Sequence, residues 1–114
     1  MKKKVFALTA AVLLLLTVAT NATLYAASPR PVLSFSGTTA LCEVVITSDG
    51  DEIEATMELR RGSTVLATWS DSAEDVLVME ETYPVTRGQL YTLRVYGSIG
   101  GVDFQDISVS ATCR

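Results

Sequence analysis

From Glu52 to Arg60 apolar and polar side chains alternate without a break. Ile53, Ala55, Met57 and Leu59 share one phase; Glu52, Glu54, Thr56, Glu58 and Arg60 share the other. A period of two places these sets on opposite faces of an extended chain, so the segment predicts a strand with one dry and one wet face. The same period recurs nearby. Cys42, Val44 and Ile46 are in phase within Ala40 to Thr47, opposite Leu41, Glu43, Val45 and Thr47. Val65, Ala67 and Trp69 are in phase within Thr64 to Ser70, and Tyr91, Leu93 and Val95 within Gln89 to Tyr96. Val32 to Ser36 and Val76 to Tyr83 complete the run before the last strand. That strand, Val102 to Cys113, changes phase: Val102 and Phe104 have one parity, and Ile107, Val109, Ala111 and Cys113 the other. A bulge near Gln105-Asp106 would bring all six to one face.

Turn chemistry separates these segments. Ser48-Asp49-Gly50-Asp51, Arg61-Gly62-Ser63, Pro84 to Gly88 and Ser98-Ile99-Gly100-Gly101 read as turns, and Asp71 to Asp75 as an acidic loop. No window after the leader carries a helical period. Seven short strands with turns at close intervals predict an all-β fold, an antiparallel immunoglobulin-like β-sandwich.

The first residues read differently. Met1-Lys2-Lys3-Lys4 is basic, Val5 to Ala19 is almost wholly apolar, and small residues follow as far as Ala26-Ala27. This is the layout of a helical secretory signal peptide, predicted over 1–26, with Ala22 and Ala27 as alternative cleavage points. The apolar stretch is short for a retained span, which takes about 20 residues. Ser28-Pro29-Arg30-Pro31 lies in an extended tether over 27–31, leaving 32–114 as the folded domain. Export implies a secreted or cell-surface protein in an oxidising compartment. There Cys42 and Cys113, both in phase with core residues, are expected to pair as a disulfide; the alternative is two buried thiols.

Loss of the leader changes the charge. The net value of −4 counts nine cations, and removing Lys2, Lys3 and Lys4 leaves six arginines against thirteen acids, or −7. Such a surface repels nucleic acid and anionic lipid and attracts a basic partner or a divalent cation.

Leu41 to Tyr96 resembles a group of small exported proteins of Gram-positive bacteria. Their shared pattern appears here as Cys42-Val44-Ile46, Ile53-Ala55-Met57-Leu59, Val65/Leu66 to Trp69-Ser70, and Tyr83-Val85-Gly88-Tyr91-Leu93-Val95. The resemblance implies a small β-sandwich and a secreted life. It carries no functional residue across, because the group has no assigned activity.

Catalytic chemistry is sparse. Without histidine the chain has no Ser-His or Cys-His couple and few routes to zinc. Without lysine after the leader it has no Ser-Lys dyad or Schiff base. Only a carboxylate pair could support hydrolysis. The loops expected at one end of the sandwich carry Asp49, Asp51, Asp71, Asp75 and Asp103, candidates for calcium, although Asp, Ser and Gly are also ordinary turn formers. Trp69 is expected in the core, as is Tyr91 with its hydroxyl bonded to backbone. Tyr96 and Leu90, with Leu41 and Val45, are candidates for an exposed apolar patch. Arg60-Arg61 reads as a solvated turn. The expected function is therefore a secreted, non-enzymatic module that binds an extracellular protein or glycan, as a monomer or weak self-associating species. A structural or accessory role without a ligand is the alternative, and a small carboxylate-dependent hydrolase a distant one.

Overall fold

A computed structural model describes residues 29–114; the leader and the first half of the tether lie outside the described residues. The described chain is all-β and antiparallel. It has five strands: β1 (Arg30–Ser36), β2 (Thr39–Arg61), β3 (Thr64–Pro84), β4 (Leu90–Ile99) and β5 (Val102–Thr112). They form one sheet in the order β1-β2-β4-β5, with β3 on the other side of β2. β1 begins at Arg30, inside the expected tether, and Pro31 already faces Val44. A proline is tolerated there because β1 has a ladder partner on one side only.

The seven expected segments fall on these five strands, with Gln89 and Cys113 just outside β4 and β5. The second and third are the two halves of β2, and the fourth and fifth the two halves of β3. A straight strand of 23 residues would span about 75 Å, yet the longest extent of the molecule is 40 Å. The long β2–β3 hairpin must therefore bend. It does so where Thr47 pairs Val76 and Glu52 pairs Glu74, so that Ser48 to Asp51 stand opposite Asp75 alone. Asp75 takes a φ of 69° and Gly50 one of 87°. The Ser48 hydroxyl donates to the Asp51 carbonyl at 2.8 Å and accepts from the Asp51 amide at 3.1 Å. The turn-forming residues do what their chemistry predicts, but they make a corner within a continuous strand instead of a chain reversal.

The corner lets the sheet curl over its own inner face. One side of β2 carries β1 on its first half and β4 on its second. Leu33, Cys42, Val44, Ile46, Ile53, Met57, Leu59, Leu77, Met79, Tyr91, Leu93, Val95 and Cys113 then form a single buried cluster. The alternation read in β2 and β4 holds, with Ile53, Met57, Leu59 and Leu93 fully buried. Tyr91 is buried, accepts the Thr86 amide on its hydroxyl at 2.8 Å, and packs its ring 5.9 Å from that of Phe35.

Two further register shifts adjust the faces. Gln105 and Asp106 stand opposite Tyr96, between the Val95–Ile107 and Gly97–Phe104 pairs, which is the expected bulge. Phe104, Val109 and Ala111 pack on the core and Ile107 is half-buried, while Val102 at the hairpin tip stays 71% exposed. The tip is the two-residue turn Gly100-Gly101, both at positive φ, as such hairpins require. The other shift was not expected. Leu59 pairs Ala67 but Arg60 pairs Val65, so Leu66 is the extra residue. It turns Leu66 toward the core and Val65 outward, correcting the expected shared face of Val65, Ala67 and Trp69. Trp69, opposite Met57, packs on the core but remains half-buried because β3 lies at the sheet edge.

Gly97 marks the tightest approach between strands. A Cβ there would lie 2.0 Å from the Glu54 carbonyl oxygen and 2.8 Å from the Ala55 Cα, both backbone atoms that cannot swing away. Gly97→Ala should therefore lower stability by at least about 2 kcal/mol, a fall in Tm of roughly 10 °C. Gly101→Ala, which meets no atom within 4 Å, should cost only the strain of its positive φ, about 1 kcal/mol. Thermal melts of the two variants check this ordering.

Candidate interaction surface

The expected site residues collect near one end of the sheet. Asp49 and Asp51 lie in the β2 corner, and Asp75 faces them from β3. The β4–β5 tip joins them: the Gly100 amide donates to the Glu52 carbonyl at 2.8 Å, and a Cβ on Gly100 would meet the Asp51 carboxylate carbon at 3.1 Å. Asp71 and Asp103 lie on either side of Gly97, lining an open groove with Glu54, Thr56, Ser70 and Tyr96. Among the described residues, no three histidine, cysteine, aspartate or glutamate side chains are grouped so as to hold a metal ion.

The outer face of β2, β4 and β5 carries a polar ladder centred on Glu58. Its Oε1 accepts from Arg60 and from Arg94, each at 3.3 Å, and its Oε2 accepts from the Tyr96 hydroxyl at 3.2 Å. Arg94 also donates to Asp106 through Nε at 3.1 Å and through a close Nη2 contact, and its guanidinium lies 4.5 Å from the Tyr96 ring centre. Hydrogen bonding to Asp106 raises the Arg94 pKa, and burial, then Glu58, raises that of Tyr96. Both shifts favour the protonated donors that this cross-strand ladder uses. Arg60 is thus engaged along the strand, also donating to the Ser63 carbonyl at 3.4 Å, in place of the solvated turn expected for it.

The alternation of Glu58 and Arg60 already placed both on the wet face. That Arg94 and Asp106 meet them depends on the β2–β4–β5 register, which no local pattern contains. The expected apolar patch divides for the same reason. Leu41 and Val45 face outward between β1 and β3, whereas Tyr96 pairs with Thr56 and Leu90 with Thr112 in the other half.

The acids of β3 are arranged differently. This strand carries Asp71, Glu74, Asp75, Glu80 and Glu81 and no cation. Glu80 stands directly opposite Glu43, and Glu74 opposite Glu52. The ion pairs among the described residues involve only Glu58 and Asp106 as acids, so these carboxylates face one another without a countercharge.

Both cysteines are fully buried in the core, as their phase predicted, and both are free thiols in this structure. The Cys113 Sγ lies 3.4 Å from the Gly37 carbonyl oxygen. Burial first, then the charges of Glu81 and Glu43, pushes the Cys42 thiol from 9.0 up to about 11.

No family model matches the chain. No curated protein matches it either. Among solved structures, the solution structure of CsgH from R. palustris is similar, with a TM-score of 0.48 and 13% identity, covering 75% of this chain and 90% of that one.

The cysteine chemistry sets an expectation. The expected Cys42–Cys113 bond predicts that the protein denatured without reductant titrates no thiol; two titrating thiols would overturn it. With reductant present both side chains are thiols. Below pH 9 the folded and unfolded chains both keep the Cys42 proton. Between about pH 9 and 11 the unfolded chain loses it first, so stability should fall by roughly 2–3 kcal/mol over that window. Urea melts of wild type and Cys42→Ala at pH 8 and pH 10.5 isolate the effect, since the variant lacks this titration.

Proposed function

We propose that the protein is an exported, non-enzymatic interaction module that engages its partner along the β3 side of the sheet. The observation that carries this reading is the edge of β3. Over 21 residues it is paired only to β2, and the backbone groups of its other side have no ladder partner among the described residues. An open edge of that length is a template for another chain unless something covers it. The signal-peptide layout of 1–26 supports export, and its removal leaves the net charge at −7. The described carboxylates lie on outer faces and at corners, with none buried. Carboxylates so placed can meet a cationic partner, which supports binding. A curled sheet whose two halves share one core is also what an immunoglobulin-like sandwich requires, and such a scaffold binds through its edges and loops.

A photo-crosslinking residue placed at Thr82 on β3, and separately at Ser108 on β5, tests the reading in the producing cells. Both positions are exposed. Thr82 should yield a heterologous adduct of defined mass and Ser108 should not. Equal yields from both, or adducts of this chain with itself alone, would favour a structural role without a specific partner.

A further inference from the structure

We propose that the free edge of β3 from Val76 to Tyr83 is a docking strand for an extended, basic segment of another polypeptide. This rests on the interaction reading above and gives the partner its chemistry. Asp75, at positive φ, breaks the long edge, and beyond it Val76 to Tyr83 run in unbroken register with β2 from Thr47 back to Ala40. This stretch has regular backbone geometry on its paired side and, among the described residues, no ladder on the other, the condition for adding a strand.

Its outer face reads Val76, Val78, Glu80, Thr82. Val78 is 8% exposed although it points away from the main core, and it sits beside Val45. Next along the strand, Glu80 faces Glu43 beside an open groove that also takes in Leu41 and Thr82. An added strand would meet an apolar step and then a pair of carboxylates. Its own alternating side chains should therefore be apolar against Val76 and Val78 and cationic against Glu80.

Charge selects the occupant. Guarding an edge against aggregation takes charged side chains on the edge strand itself, of either sign. Here the neighbouring strand adds acids directly opposite, at Glu43–Glu80 and Glu52–Glu74, and like charges so placed weaken a sheet. A cation brought in by a partner relieves that repulsion. A second copy of this chain cannot supply it from β3, which would set five more acids and no base against the first five. Nucleic acid and anionic lipid are repelled outright. A basic polypeptide strand fits both the backbone and the charge.

The test uses the purified protein and two synthetic peptides of about ten residues with threonine at every second position; the positions between read valine, valine, lysine, lysine in one and valine, valine, glutamate, glutamate in the other. The lysine peptide should bind, with affinity falling about tenfold as salt rises from roughly 0.05 to 0.3 M. In NMR titrations and hydrogen exchange, amides between Val76 and Tyr83 should shift and gain protection, while those of β5 do not. Glu80→Lys sets a cation opposite Glu43, so its Tm should hold or rise while lysine-peptide affinity drops about tenfold. Equal binding of the glutamate peptide, shifts confined to another surface, or unchanged affinity in a folded Glu80→Lys protein would each overturn the proposal. Thr82 crosslinks without lysine-peptide binding would overturn the basic strand and leave the interaction reading standing. Loss of both results would remove both.

Discussion

The corner in the β2–β3 hairpin is the constraint on which the rest depends. Ser48 to Asp51 against Asp75 converts a ribbon too long for a small domain into two halves that share one core. Without the bend, the apolar faces of the two halves of β2 would extend past one another. With it, Ile46 and Ile53, on either side of the corner, enter the same cluster. The energetic drive is ordinary burial of aliphatic side chains, on the order of 2 kcal/mol for each one fully enclosed. The corner makes that burial geometrically available, through one hydroxyl bonded twice across four residues and two backbones at positive φ.

A second theme is the separation of charge. The arginines that pair do so on the outer face of β2, β4 and β5, where Glu58 draws in Arg60, Arg94 and Tyr96, and Arg94 reaches Asp106. This ladder ties three strands together on the wet face. The opposite flank of β2 and the whole of β3 hold most of the remaining acids, some directly opposed. One side of the sheet is thus internally neutralised and the other is left electrostatically open. In a small domain whose net stability is a slender difference between large terms, a repulsive ladder at the edge is a real cost, and it falls on a strand that has a ladder on one side only among the described residues.

Much of the fold was legible in local pattern, and its failures share a cause. The inward sets of β2 and β4 follow from a period of two, and the Gln105-Asp106 bulge from a change of phase. The Leu66 bulge left no such mark, because Val65 and Leu66 are both aliphatic and either could point inward. Trp69 is correctly placed on the core face, yet its half-exposure reflects the edge position of β3, a fact of topology. The same limit applies to the candidate site. Asp49, Asp51 and Asp75 could be expected to converge once an immunoglobulin-like topology was assumed, but the Glu58–Arg94–Asp106 ladder needs three strands in known register.

What the sequence determined by itself is the alternation, and with it the strand class, the buried set and the wet set. Those follow from each residue's own affinity for water and from the two-residue repeat of an extended chain. It also determined that the chain is acidic, that every cation after Lys4 is an arginine, and that it holds no histidine. Tertiary structure alone decided that Ser48 to Asp51 bend a strand instead of ending it, that Cys113 turns to Gly37, and that the acids of β3 face those of β2 along an open edge. These are relations between residues distant in the chain. Turn propensity is the same for a corner as for a reversal, and a charge carries no record of which charge will stand across from it.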